Sequence, residues 1–148
     1  MIDRKHIGAE SEPRRIEVEK GQLKFFAKAT GETNPIYFDE EAARAAGHKA
    51  LPAPPTFTFS LALGAPAKKG DVFEDMGVSR ARVLHGEQRF FHHHPIYAGD
   101  TVTLVTKTVD IYDKKGGALE FIVQDTEAKN QEGRLCTTMR VVTVVRNG

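Results

Sequence analysis

Apolar residues recur along this chain with different periods, and each period predicts a different element. From Glu19 to Thr30, the residues Leu23, Phe26, Ala27 and Thr30 fall at helical spacing, and Gly31 follows where a helix would close. Residues 39–47, DEEAARAAG, predict a short second helix capped by Asp39, with Glu40 and Glu41 in its first turn and a glycine at its end. Residues 54–66, PPTFTFSLALGAP, are apolar on every side, which predicts an enclosed helix and not a surface one. Beyond residue 80 the pattern changes to strands, expected at 82–93, 100–112, 117–128 and 134–146. DKKGG and NQEG supply the turns between the last three. RIEV at 15–18 alternates and predicts one further short strand. Residues 1–14 are polar and are expected to form a loose arm, and 67–80, with glycines and mixed charge, a long loop.

Helices first and four long strands afterwards predict the α+β class with an antiparallel sheet. A helix that is apolar all round must be surrounded, and a curved sheet wrapped around it does so. That arrangement is the hotdog fold. At 148 residues the chain is read as one domain, large enough to bury roughly two-thirds of its unfolded surface.

Composition narrows the function classes. The formal net charge of +1 gives no reason to expect nucleic acid or an anionic membrane as partner. One cysteine, Cys136, excludes an intrachain disulfide and fits a reducing cytoplasm. The first residues lack the apolar core of a secretory signal, and the apolar run at 57–67 is too short to span a bilayer. The expected location is therefore the cytoplasm, with no membrane partner.

Candidate chemistry concentrates in GETNPIYFD (31–39). Asn34-Pro35 forces an extended or turn backbone, because the proline ring disfavours helix at Asn34. The carboxylate of Glu32 and the phenol of Tyr37 are thereby held on a stiff connection between two helices, where catalytic groups tend to be placed. These residues carry a resemblance. Glu32-Thr33-Asn34-Pro35-Ile36-Tyr37 is similar to the Asp-x-Asn-Pro-(Leu/Ile/Val)-His motif of the MaoC-like hydratase and dehydratase family. LHGEQRFFHHHPIYAGDTV (84–102) resembles that family's strand-Pro-x-x-x-Gly-Asp segment, and the likeness runs over residues 15–146.

The resemblance implies addition of water to an enoyl thioester, or its removal from a 3-hydroxyacyl thioester. The acyl group would be carried on coenzyme A or acyl carrier protein, with no metal or redox cofactor. In the family the aspartate and histidine of the motif activate water, and a backbone N–H at the start of the buried helix polarises the thioester carbonyl. All three parts are altered here. Glu32 is one methylene longer than aspartate, and a misplacement of about 1 Å can cost on the order of 10²-fold in rate. Tyr37 replaces histidine, and only about one tyrosine in a thousand is ionised at neutral pH. The corresponding stretch is APPT (53–56), where Pro54 and Pro55 have no N–H and the Thr56 N–H is the backbone donor left, and loss of one such donor typically costs about 10²–10³ in rate.

The resemblance therefore implies a subunit that shapes an acyl tunnel with Tyr37, His48, Pro55, Thr56 and Phe57, while a catalytic MaoC-like partner supplies the missing dyad. The chain is expected to pair with itself or with that partner. Alternatives are a self-sufficient hydratase using Glu32 with Asn34 positioning the water, an acyl-binding module, or a thioesterase. Residues 54–66 contain no acid, which speaks against the last. Lys68, Lys69 and Arg82 are the candidates for a carrier's phosphates or acidic face. His92, His93 and His94 lack a neighbouring cysteine or carboxylate in sequence, so no metal site is expected there.

Overall fold

The computed structural model describes residues 1–65 and 72–147. Among these, strands β1 (Arg14–Glu17), β2 (Val83–His92), β3 (Thr101–Lys114), β4 (Leu119–Lys129) and β5 (Leu135–Arg146) form one antiparallel sheet. The strands lie in the order β1-β3-β4-β5-β2. Helices α1 (Lys20–Ala29), α2 (Glu40–Ala45) and α3 (Phe57–Gly64) follow β1, and a single turn, α4 (Val72–Asp75), precedes β2. This is the α+β hotdog fold, and the strand boundaries read from the alternation hold to within two residues.

The hairpin between β3 and β4 turns on DKKGG, where Lys115, Gly116 and Gly117 have φ of 54°, 63° and 88°. Between β4 and β5, the buried Asn130 side chain accepts from the N–H groups of Glu132 (3.1 Å) and Arg134 (3.0 Å). A bulge between His85 and Glu87 bends β2, and Gly86 fits there only because it lacks a Cβ.

The core lies in two parts. Under α3, Phe57 and Leu61 pack with Val18, Leu23, Val102, Leu104, Ala128 and Cys136. Toward the opposite end of the sheet, Ile2, Met76 and Val78 cover Ile111, Ile122 and Val145. Helix α3 is shorter than the apolar run suggested and is enclosed on one side only. It buries Phe57, Thr58 and Leu61 but leaves Leu63 74% exposed. One chain's sheet covers one side of this helix.

The amino-terminal arm is tied down, contrary to the expectation of a loose segment. Gly8 N–H donates to Thr108 O (2.8 Å), Thr108 N–H to Ala9 O (3.0 Å) and Ser11 N–H to Thr106 O (2.8 Å), so the arm runs along the edge of β3. Ile2 is buried, and its N–H donates to the buried Glu120 carboxylate at 2.5 Å. The same carboxylate accepts from the Asn147 amide, joining both ends of the chain. The arm's polar composition hid this because the bonds are made by backbone.

Candidate functional site

Two helix ends deliver the site. At the end of α1, Gly31 adopts φ 75°, its N–H donates to Lys28 O (3.2 Å), and the Glu32 N–H donates to Ala27 O (2.9 Å). At the end of α2 the same pattern recurs: Gly47 has φ 90°, its N–H donates to Arg44 O (2.9 Å), and the His48 N–H donates to Ala43 O (2.9 Å). Both are Schellman closures, which need a residue without a Cβ penalty in the left-handed region. Glu32 and His48 are thus the first residues beyond two capped helices.

Between them runs the motif. Asn34 Oδ1 accepts from the Ile36 N–H (3.2 Å) and opens a short 3-10 turn, Pro35–Tyr37. Asn34 is exposed, so its role here is to cap the turn. Glu32 is half-buried, and its Oε1 accepts from the N–H groups of Thr33 (3.0 Å) and Asn34 (3.2 Å). It braces its own turn. Tyr37, half-buried, lines a cavity. Burial, and then the nearby Glu32 charge, push its phenol above the ordinary tyrosine value, so it is protonated at neutral pH.

The cavity encloses about 330 Å³. Its floor is the start of α3, with Pro54, Pro55 and Thr58, and its walls include Ile36, Tyr37 and His48. The third side is the end of β2 and the segment after it, where His92, His93 and His94 precede Pro95 and Ile96. Four imidazoles therefore meet one phenol and the hydroxyls of Thr58 and Thr137, with no lysine, arginine or carboxylate in the lining. Such a site offers hydrogen bonds to neutral oxygen functions within a largely apolar wall. Among the described residues, no group of three His, Cys, Asp or Glu side chains is placed to hold a metal ion.

Of the residues expected here, Tyr37, His48 and Pro55 line the cavity. Thr56 is the exposed N-cap residue of α3 and is not part of the lining. Phe57 is 3% exposed and belongs to the core, edge-on to Phe26 with ring centroids 5.4 Å apart. The arginine Arg82 is bonded to Asn147 Oδ1 (3.0 Å) just before β2, whereas the cavity lies at that strand's other end. Ten residues of strand separate them by roughly 30 Å. Lys68 and Lys69 lie outside the described residues.

Sequence reasoning did not place the three histidines of 92–94 in this cavity, nor did it single out Tyr97. Their neighbour Pro95, shortly after β2, was the available signal. Tyr97 is locked by a turn: its N–H donates to Asp100 Oδ2 (2.8 Å), the Asp100 N–H donates back to Tyr97 O (3.0 Å), and Gly99 takes φ 88°. The Tyr97 hydroxyl lies 3.2 Å from His48 Nδ1.

Comparison with known proteins adds an independent line. The model of the FAS1-like dehydratase domain region matches residues 5–139. A UPF0336 protein of Streptomyces coelicolor is 40% identical over 119 residues, covering 78% of this chain and 77% of its own. The structure of a C-terminally truncated HadBC complex, a 3R-hydroxyacyl-ACP dehydratase of Mycobacterium tuberculosis, superposes with a TM-score of 0.80. It is 28% identical and covers 94% of this chain and 96% of its own. A MaoC-like dehydratase superposes with a TM-score of 0.83 at 23% identity, covering 97% of this chain but 43% of its own, so this fold recurs within a longer chain.

Proposed function

The chain belongs to the FAS1-like dehydratase family, within the MaoC-like hotdog group, and from that premise we propose that it is the acyl-binding subunit of a two-chain hydratase or dehydratase. It would bind an enoyl or 3-hydroxyacyl thioester of coenzyme A or acyl carrier protein in the cavity between Tyr37, His48 and the start of α3. No metal or redox cofactor enters this reading. The second hotdog chain would supply the aspartate and histidine that move the proton. The setting would be the cytoplasm.

The observation that carries the reading is the state of the motif. Tyr37 keeps its proton at neutral pH, and Glu32 spends a carboxylate oxygen on the N–H groups of its own turn. Tyr37 is therefore not poised as a base, and Glu32 has only its second carboxylate oxygen, Oε2, left to serve as one. Pairing is supported by β2, which has no neighbouring strand on its outer edge among the described residues and carries the exposed Leu84 and Phe91. The likeness to a HadBC complex favours a second hotdog subunit as the partner.

The test is hydration of crotonyl-coenzyme A and of a longer enoyl thioester by the purified chain, alone and mixed with a catalytic MaoC-like subunit from the same source. Silence alone, and a heteromer whose rate or chain-length preference differs from the partner's own, supports the proposal. Turnover by the lone chain that Glu32→Gln abolishes would instead establish a self-sufficient hydratase.

A further inference from the structure

A thioester carbonyl held at the start of α3 finds few backbone donors there. Pro54 and Pro55 have no N–H. The neighbouring groups are already engaged: Ala53 N–H donates to Ile96 O (2.7 Å) and Phe57 N–H to Pro54 O (2.9 Å). Thr56 is outside the cavity lining. Thr58, in the first turn of α3, keeps its N–H available at this wall, and a side chain can supply a further donor for that oxygen.

The four imidazoles are not equivalent. His92 and His93 are exposed; the first stacks on Phe90, and the second has Nε2 at 3.2 Å from Thr138 Oγ1. His94 meets the Tyr97 ring edge-on, at 6.5 Å between centroids. His48 is half-buried, its backbone is fixed by the closure of α2, and its Nδ1 is engaged by Tyr97. Tyr97 is 8% exposed and fixed in turn by Asp100, which is 3% exposed. Lys49 Nζ sits 3.2 Å from Asp100 Oδ1 and 5.1 Å from the centre of the Tyr97 ring. With the Tyr97 hydroxyl donating to Nδ1, the imidazole carries its hydrogen on Nε2 and presents it as a donor.

We propose that His48, oriented by Tyr97, donates its Nε2–H to the carbonyl oxygen of the bound thioester, in place of the backbone donor that Pro54 and Pro55 remove. This rests on the acyl-thioester reading given above. It makes His48 a substrate-contacting residue and Tyr97 a positioning residue. A chain altered at its motif thereby keeps the means to recognise a thioester as a thioester.

The experiment compares crotonyl-pantetheine with the matching thioether, in which a methylene replaces the carbonyl. Calorimetric affinities are measured on the full-length protein, with the infrared carbonyl stretch of the bound, isotopically labelled thioester as second readout. The wild type is expected to prefer the thioester by about tenfold, the effect of one well-formed hydrogen bond, and to lower the carbonyl frequency. His48→Phe removes both the preference and the frequency shift but keeps thioether binding. His48→Gln, which retains an N–H, restores part of each, and Tyr97→Phe reduces the preference without abolishing it. A preference that survives in His48→Phe overturns the proposal, and so does an equal loss of both ligands, which marks a packing role. Failure of the wild type to bind either ligand sinks the acyl-thioester reading itself.

Discussion

In the proposed reading, Tyr37 turns a proton-transfer motif toward binding. Its phenol is raised by burial first and by the Glu32 charge second, so the two motif residues work against proton release. A spectrophotometric titration, compared with Tyr37→Phe, is expected to place this phenol above pH 10. Glu32→Gln should bring it down, because the anion that opposes ionisation is gone. An unchanged titration in Glu32→Gln would separate the two groups electrically. Gly86 makes a steric argument at the same scale. A Cβ there would lie 2.8 Å from Val144 Cγ2 and 2.9 Å from Val142 O, and the latter is backbone that cannot swing away. Gly86→Ala is expected to cost about 1–3 kcal/mol in a denaturant titration.

Among the elements, α1 and α2 are defined by their ends. Asp39 Oδ1 accepts from Glu41 N–H (2.7 Å) and Ala42 N–H (3.0 Å), and those bonds hold its carboxyl below the ordinary range. Glu40 is lowered chiefly by its bond to Lys20, which ties α2 to α1. A lowered carboxyl stabilises the fold fully above the unfolded value near 4 and loses that contribution as pH falls through the folded value. Asp39 is exposed and Glu40 only half-buried, so the effect is modest. The urea midpoint should fall between pH 5 and pH 3, and Asp39→Asn should flatten part of that fall, because an amide oxygen caps without titrating. An equally steep fall in Asp39→Asn would move the acid sensitivity elsewhere. These helix ends were legible because their signals are local: an acidic cap, two glutamates and a glycine lie within nine residues.

For the molecule as a whole, the sheet has two edges with different fates. The edge of β3 is covered by β1 and by the arm of residues 8–11, whereas β2 is open among the described residues. Covering one edge directs assembly to the other. Deletion of residues 1–11 is expected to lower stability, since Ile2 leaves the core, and to produce species larger than the parent in sedimentation. A truncated protein of unchanged size would show that the arm does not guard the edge.

The sequence by itself determined α1, α2, the strands of the antiparallel sheet and the motif on the turn, whereas α4 forms within the stretch expected to be a loop. Those it determined rest on short-range periodicity and on residues with restricted backbone angles. Only the tertiary structure decided that α3 is covered on one side, that the arm lies along β3, and that Phe57 belongs to the core and not to the cavity. It also brought His48 and the end of β2 together with Tyr37 around one cavity, and set Tyr97 against His48. That gathering joins positions as far apart as 37 and 97, and such neighbours are set by strand register and helix packing. No local pattern in the sequence records those distances.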